Sequence, residues 1–309
     1  MTDPGNHPGP GGASYPGADY ICRYCRQPGD PGAMSCPHCG APLDVARAVS
    51  RSGWQEQPPI RDMARIQFGA STCQIEGSYV PTADFNLRGP EWIYFSHHSV
   101  LWAEPGVHME AMPMAGGWNR VRSGLPLVML QASGPGHLAL SEDAPGEIVA
   151  LPLQPGQSVV VREHRFLAAT ANVAYTWQQS GIWFVTGSGD ESETHFPLGY
   201  NVDVFSASAT PGLLLLHSPG NTFIRDLAQG ETICIQPTAL LYRDPTVGMA
   251  LHLEYPNAGN MAWGFGRFSY RQVWLRLWGP GRVAVQSVFE RPETSEAITN
   301  SSPATVARW

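Results

Sequence analysis

The sequence predicts a mainly β fold: three pseudo-symmetric antiparallel repeats, of the β-sandwich or double-stranded β-helix type, preceded by a small zinc ribbon. Three observations lead to this prediction. Short apolar phrases recur along the chain, Gly and Pro separate them, and two Cys-x-x-Cys pairs lie close together near the N-terminus. The 33 Gly and 28 Pro among 309 residues interrupt the apolar runs, which favours strands and turns over helices.

The repeat consists of two phrases. The first is a short apolar run closed by a Pro-Gly turn, and it occurs at 127–136 and again at 212–220. The second phrase follows each of these, at 153–167 and at 227–241. Self-similarity of β type at a spacing of about sixty to eighty residues indicates structural repeats.

Fragments of a third copy flank this pair. Residues 91–102 match the second phrase, and residues 273–281 match the first. When the three second phrases are aligned without gaps, Val107, Val173 and Val247 fall at the same place. The three copies are therefore expected to form equivalent β units.

The Pro-Gly turns are expected to reverse the chain between strands. Proline fixes φ and the following glycine accepts a positive φ, so type II turns are predicted at 134–136, 218–220 and 279–281. The residue after each turn is polar, namely His137, Asn221 and Arg282. These three residues are expected either to line a shared surface or to be solvated turn flanks.

Two Cys-x-x-Cys pairs, separated by ten residues, are the most specific chemical signal: Cys22, Cys25, Cys36 and Cys39. A two-residue gap lets a tight turn aim both sulfurs at one cation, and two such turns provide the four-thiolate shell of a structural zinc site. Gly40 suits the positive φ that follows the second pair, whereas Arg26 occupies this position after the first pair and weakens that turn. So short a segment cannot bury a core, and Zn²⁺ is expected to supply most of its folding free energy.

Other interpretations of these cysteines are weaker. A thioredoxin-type redox pair needs a βαβ context, and disulfides are disfavoured in a reducing compartment. With four cysteines present, His38 is expected to lie outside the ligand set, and no open position is left for catalysis. Cys73 and Cys234 are isolated among strand-like residues and are expected to be buried.

Composition divides the chain into five regions. The predicted regions are a flexible Pro/Gly-rich tail at 1–19, the zinc ribbon at 20–42, a polar linker at 43–62 with one short helix at 44–49, the repeated β core at 63–292 and a loose C-terminal tail at 293–309. Between 178 and 208 the second copy contains an insertion with aromatic residues, glycines and carboxylates. This insertion is either a functional loop or a decorated hairpin.

Charge and composition exclude several classes of protein. A formal net charge of −7 argues against broad electrostatic binding to nucleic acid or to anionic membranes. All 19 basic residues are arginines, so the lysine that a P-loop protein, a protein kinase or a Schiff-base enzyme requires is missing. No apolar run reaches about eighteen residues and no signal peptide is recognisable, so a cytoplasmic protein without a transmembrane segment is expected.

Several phrases resemble the altered-inheritance-of-mitochondria protein 24 family: the Gly-Pro-Gly-x-x-Ala turns and the segments 146–156, 166–169 and 278–287. The resemblance covers roughly residues 63 to 292. It implies a core of repeated antiparallel β units resembling the tryptophan RNA-binding attenuation protein, with pseudo-threefold symmetry and a tendency to self-associate. It also implies a role in inner-membrane organisation in the mitochondrial branch, which is not carried over because no targeting segment is expected here. The family brings no catalytic residues, and this chain differs from it at 261–268 and in the ribbon.

No catalytic constellation is recognisable. On a strand, the adjacent His97 and His98 would point to opposite faces, and the glycines at 264 and 266 lack the context of a dinucleotide loop. We therefore predict a non-enzymatic, homo-oligomeric scaffold or binding protein whose ribbon recruits an unidentified protein partner on a flexible tether. Two alternatives are an RNA-binding protein, which the acidic charge disfavours, and a small-molecule-binding or metal-dependent β-helix enzyme. Peripheral contact with a membrane stays compatible with the sequence.

Overall fold

A computed structural model describes residues 20–29, 36–41, 52–60, 62–112, 129–187, 189–254, 272–290 and 298–302. Across these residues the chain forms 26 β-strands and three 3-10 helices, His97–Ser99, Gly189–Glu191 and Pro237–Ala239. The predicted N-terminal tail, the helix at 44–49 and the segment 261–268 lie outside the described residues. In the described part of the chain, no helix is long and apolar enough to cross a membrane.

Five short strands precede the repeats: β1 (Tyr20–Ile21), β2 (Pro28–Gly29), β3 (Gln55–Gln57), β4 (Ala64–Phe68) and β5 (Ser71–Glu76). The core then contains three units of six strands. Unit 1 comprises β6 (Thr82–Leu87), β7 (Trp92–Ser96), β8 (Val100–Ala103), β9 (His108–Ala111), β10 (Met129–Ser133) and β11 (Gly136–Leu140).

Units 2 and 3 follow with the same strand order. Unit 2 comprises β12 (Gly146–Leu153), β13 (Ser158–Arg162), β14 (Phe166–Thr170), β15 (Val173–Gln179), β18 (Asn201–Ala207) and β19 (Gly212–Pro219), and its insertion contains β16 (Phe184–Thr186) and β17 (Glu193–His195). Unit 3 comprises β20 (Thr222–Leu227), β21 (Thr232–Ile235), β22 (Leu240–Arg243), β23 (Gly248–Glu254), β24 (Gln272–Trp278) and β25 (Gly281–Gln286), and β26 (Ile298–Ser301) follows it.

All three units have the same internal pairing. In each, the first, sixth and third strands form one antiparallel set, which is β6-β11-β8, β12-β19-β14 or β20-β25-β22. The second, fifth and fourth strands form the other set, which is β7-β10-β9, β13-β18-β15 or β21-β24-β23. The predicted mainly β fold with three pseudo-symmetric antiparallel repeats is confirmed.

A side-chain contact also recurs at the end of each third strand. In each unit, the second residue of the sixth strand donates its backbone N–H to a side-chain oxygen at the end of the third strand. The three bonds run from His137 to Glu104 Oε2 at 2.9 Å, from Leu213 to Thr170 Oγ1 at 2.9 Å and from Arg282 to Asp244 Oδ2 at 2.7 Å. The repeat thus extends from strand order to individual hydrogen bonds.

The structure places the repeat boundaries differently from the sequence alignment. Each unit starts before the second phrase and ends after a Pro-Gly turn, so that 91–102 and 127–136 belong to one unit. The turns that precede the three sixth strands are 134–136, 210–212 and 279–281, whereas 218–220 leads from unit 2 into unit 3. The motif at 210–212 was missed because Thr210 replaces the first glycine.

Two of the predicted type II turns have another geometry. The Gly134–Pro135 and Gly279–Pro280 peptide bonds are cis, and the glycines that follow, Gly136 and Gly281, have φ values of 143° and 140°. A Cβ atom at Gly134 would collide with the carbonyl oxygen of Leu87, which explains why this position is a glycine.

Neighbouring units are joined by antiparallel pairing between the third strand of one unit and the second strand of the preceding unit. β14 of unit 2 pairs with β7 of unit 1, and β22 of unit 3 pairs with β13 of unit 2. The corresponding third junction, between β8 and β21, is not hydrogen-bonded in the described structure, where β8 pairs with β11 and β21 with β24. Among the described residues, two junctions are therefore closed by strand pairing and one is open.

Two segments that were expected to lack strands contribute edge strands, and one of the two alternatives for the insertion is confirmed. β3, from the predicted linker, pairs with β20, and β26, from the predicted loose tail, pairs with β16. The insertion is a decorated hairpin, in which β16 pairs with β17. The polar composition of these segments did not indicate strands, because edge strands bury few of their side chains and need few apolar residues.

Candidate metal centre

The two Cys-x-x-Cys segments form equivalent turns. In the first, the backbone N–H of Arg26 donates to the carbonyl oxygen of Cys22 at 2.7 Å. In the second, the N–H of Gly40 donates to the carbonyl oxygen of Cys36 at 2.8 Å. Arg26 and Gly40 have positive φ values of 61° and 71°. The turn of the first pair is thus preserved although a non-glycine residue occupies this strained position.

The four predicted ligands converge. Their Sγ atoms all lie within 4.8 Å of one another, with Cys22 and Cys39 at 3.9 Å and Cys25 and Cys36 at 3.7 Å. A tetrahedral shell with metal–sulfur bonds of about 2.3 Å requires sulfurs about 3.8 Å apart. Three of these cysteines are buried and Cys25 is half-buried. The arrangement is compatible with one metal ion held by four cysteines.

The four thiols perturb one another's pKa values. Hydrogen bonding from Cys25 lowers the pKa of Cys22 to about 7, and hydrogen bonding from Cys22 lowers the pKa of Cys36 below its ordinary value. Hydrogen bonding with Cys22 raises the pKa values of Cys25 and Cys39. A cation would replace these shared protons, since thiolates are the ligands.

His38 lies outside the sulfur cluster, as expected. Its Nε2 atom is 3.1 Å from the carbonyl oxygen of Pro28, so the imidazole connects the second turn to β2. Of the two isolated cysteines, Cys73 is fully buried, whereas Cys234 is only half-buried. The prediction of burial therefore holds for Cys73 and overstates that of Cys234.

A buried arginine of the core binds the first turn. Arg282, only 7% exposed, donates from Nη2 to the carbonyl oxygen of Arg23 at 3.2 Å and from Nη1 to that of Tyr24. Its Nε and Nη2 atoms also donate to the two carboxylate oxygens of Asp226, each at 2.9 Å. Burial alone would raise the pKa of Asp226, but the hydrogen bonds and charge of Arg282 lower it. Arg282 therefore joins the ribbon to β20 and β25.

Arg26 provides a second polar link, which explains the absence of glycine there. Its guanidinium forms an ion pair with Asp226 and lies 3.7 Å from Asp244. A glycine would relieve the positive φ but would remove both contacts. The positive φ of Arg26 is thus accompanied by side-chain contacts that attach the first turn to unit 3.

Apolar contacts also join the ribbon to the core. Tyr24 and the four cysteines belong to the same cluster of packed side chains as the centre of the β units. A Cβ atom at Gly40 would lie 2.8 Å from Cγ2 of Ile60, so the second turn packs closely on the segment before β4. In the described residues, buried polar and apolar contacts therefore hold the ribbon against the core, whereas the first part of the predicted linker, at 43–51, lies outside the described residues.

Two clefts flank the ribbon where neighbouring units meet. A cleft of about 350 Å³ at the junction of units 2 and 3 is lined by Tyr24, Cys25 and Arg26 together with the buried Tyr242. A cleft of about 570 Å³ at the junction of units 1 and 2 is lined by His38 and by residues of both units. The ribbon thus lies across both closed junctions.

The polar residues that follow the predicted Pro-Gly turns have separate partners. His137 Nδ1 lies 3.1 Å from the carboxylate of Asp84, whereas Asn221 donates to Glu147 and Arg282 binds Asp226. Each of them therefore contributes to a local contact. Sequence analysis singled out Arg282 as a polar turn residue, but no signal in the sequence indicated that it would bind the ribbon.

The histidine pair is exposed. His97 and His98 lie in a 3-10 helix rather than in a strand, and their rings are 5.5 Å apart. His98 Nε2 lies 3.9 Å from a carboxylate oxygen of Glu142. This geometry differs from the opposite-facing arrangement predicted for a strand.

Comparisons with known proteins place this architecture in a family. No curated protein matches the chain. Among solved structures, an X-ray crystal structure of a Streptococcus pyogenes protein matches with a TM-score of 0.51 and 20% sequence identity, covering 71% of this chain and 94% of that chain. This likeness shows a shared fold. The family described as "Mitochondrial biogenesis AIM24" matches residues 73–288, which span the three units. The chain therefore belongs to the AIM24 family.

Proposed function

We propose that this protein is a non-enzymatic, self-associating scaffold whose metal centre is structural and holds zinc. The observation that carries the proposal is the exposure of β8. Leu101 is 59% exposed and Trp102 is 43% exposed, although the equivalent strands of units 2 and 3 are buried. Apolar residues left uncovered at one position of a repeat support binding to another protein.

The chemistry of the metal centre supports a structural role. Four cysteines complete a tetrahedral shell and leave no position for a substrate or a water. Soft thiolate ligands in tetrahedral geometry favour zinc. The ribbon is packed on the core instead of extending from it, so we propose that its metal braces the β units and that partner binding is a property of the core.

Two measurements test this function. Light scattering on the full chain over a range of concentrations is expected to give a homo-oligomer, and a monomer at high concentration would contradict self-association. Elemental analysis is expected to give one zinc per chain. The Cys36→Ser variant should lose this metal, whereas the matched Cys234→Ser variant, altered outside the cluster, should keep it.

The expected cytoplasmic location is part of this proposal. None of the six cysteines forms a disulfide, as is typical of a reducing compartment. The family description refers to mitochondrial biogenesis, so fractionation of cells that contain the protein is the direct test. Recovery with the membrane or organelle fraction would overturn the cytoplasmic location.

A further inference from the structure

We propose that the open junction is an interface between copies of this chain, in which β8 of one copy pairs antiparallel with β21 of another, with Trp102 opposite Ile235 and Ala103 opposite Cys234. The proposal rests on the proposed self-association and specifies its surface and its register. It follows from the two closed junctions, which show what a third strand and a second strand of neighbouring units do when they meet.

The two closed junctions have identical registers. Alignment on Val107, Val173 and Val247 makes each residue of one unit equivalent to one residue in the others. At the junction of units 1 and 2, Ala168 pairs with Phe95 and Ala169 pairs with Tyr94. At the junction of units 2 and 3, the equivalent residues pair in the same way, Tyr242 with Val161 and Arg243 with Val160. At the open junction, the residues equivalent to these two pairs are Trp102 and Ile235, and Ala103 and Cys234.

The burial of the third strands shows that this junction lacks its covering strand. Leu167 in β14 and Leu241 in β22 are fully buried, whereas the equivalent Leu101 in β8 is 59% exposed. Trp102 is 43% exposed, and its equivalents Ala168 and Tyr242 are buried. β8 therefore has the apolar residues of a buried strand without the neighbour that buries one.

Both edges are suited to strand addition. Neither β8 nor β21 contains a charged residue or a proline, the features that natural edge strands use to prevent pairing. Main-chain hydrogen bonds would supply affinity and the alternating side chains would supply register, as in other strand additions.

A second copy is the occupant that the structure favours. In the described part of the chain, β8 and β21 each end a sheet and do not pair with each other, so the described residues of one copy provide two different edges for another copy. These edges are different surfaces, so one contact between them is heterologous and generates rings or longer chains of copies, whereas two such contacts made reciprocally give a twofold dimer.

Cysteine cross-linking tests the register directly. Ala103→Cys places a thiol opposite the native Cys234, since residues directly opposite in an antiparallel pair have Cβ atoms about 4.5–5.5 Å apart. The full-length, metal-loaded variant is treated with a mild oxidant or a short bis-maleimide and run on a non-reducing denaturing gel. The expected product has twice the monomer mass or a higher multiple, and it should be lost in Ala103→Cys/Cys234→Ser. His108→Cys, on the exposed β9, is the off-register control and should give no more than background.

The outcomes separate this interface from self-association in general. Loss of the product in a Trp102→Glu background, with an unchanged unfolding temperature, would support the interface. An oligomer in light scattering without the cross-link would overturn the interface and leave the scaffold proposal intact. A cross-link within one chain, visible as a faster band at monomer mass, would show that the junction closes internally and would also overturn it. A monomer without any cross-link would contradict both proposals.

Discussion

The closed and open junctions place the same kind of strand in opposite environments. β14 and β22 are buried throughout, each covered by the second strand of the preceding unit. β8 has the same place in its unit and a similarly apolar sequence, yet most of it is exposed. Hydrophobicity alone therefore does not bury a strand, because burial also requires a partner edge at the correct place.

The ribbon differs between these junctions as well. Arg26 and Tyr24 line the cleft at units 2 and 3, and His38 lines the cleft at units 1 and 2. In the described part of the chain, the residues of β8 line neither cleft. The ribbon residues thus lie at the two junctions that are closed.

Loss of the metal is expected to have the largest effect. Structural zinc contributes roughly 10–16 kcal/mol in isolated fingers, so the variant Cys36→Ser/Cys39→Ser should lose more than about 4 kcal/mol of unfolding free energy. Hydrogen exchange should then accelerate in β14 and β22 and change little in β8. Equal acceleration in all three strands would mean that the ribbon does not brace particular junctions.

Truncating the equivalent leucines compares the junctions directly. Leu167→Ala and Leu241→Ala should each cost about 3 kcal/mol, the usual range for a cavity at a fully buried leucine being about 2–5 kcal/mol. Leu101→Ala should cost less than about 0.5 kcal/mol when urea unfolding is measured on dilute monomer. A cost for Leu101 equal to the other two would show that β8 is packed like β14 and β22.

Arg282 and His137 follow equivalent turns and provide a smaller comparison. Arg282→Gln removes the bidentate contact with Asp226 and the bonds to the ribbon carbonyls, and should cost about 2 kcal/mol, because the carbonyl oxygens of Arg23 and Tyr24 lose the guanidinium donors that they bind. His137→Gln, at a half-exposed pair with Asp84, should cost less than about 1 kcal/mol. Metal release to a chelator should quicken only in the Arg282 variant, and equal release rates would contradict a role of Arg282 in holding the ribbon.

The sequence was sufficient for the fold class and for the cluster of four cysteines. Three aligned valines and recurring phrases identified three β units, since residues that repeat a packing environment repeat in type. Two Cys-x-x-Cys pairs identified the sulfur cluster because few other functions need that spacing. The boundaries of the units were misplaced because one turn, at 210–212, begins with Thr210 instead of the glycine found in the other two turns, so it does not match the Gly-Pro-Gly motif.

Contacts between distant segments could not be derived from the sequence. The interaction of Arg282 with the carbonyl oxygens of Arg23 and Tyr24 joins residues more than two hundred positions apart and uses main-chain acceptors, which have no residue preference. The openness of the third junction was equally hidden, because β8 is as apolar as its buried equivalents. Only the arrangement of the units shows which strands meet.

The pH dependence of stability tests a polar link between units 2 and 3. Glu147 in β12 accepts hydrogen bonds from Asn221 Nδ2 and from the backbone N–H of Thr222, each at 3.1 Å. Burial outweighs these bonds and raises the pKa of Glu147 from 4.5 to about 7. The folded state therefore binds this proton more tightly than the unfolded state, so the contribution is complete below about pH 4.5 and is lost as the pH rises to about 7.

Urea unfolding between pH 4.5 and 7.5 measures this contribution. Stability should fall over that window by on the order of 1–2 kcal/mol from Glu147 after allowance for solvent screening, and Glu147→Gln should flatten the profile. Burial also raises the pKa of Glu142 to about 7, so a residual slope should disappear in Glu142→Gln/Glu147→Gln. Glu193→Gln, altered at an exposed carboxylate of the insertion hairpin, should retain the slope. An unchanged slope in Glu147→Gln would show that the carboxylate is ionised without cost at the boundary between the units.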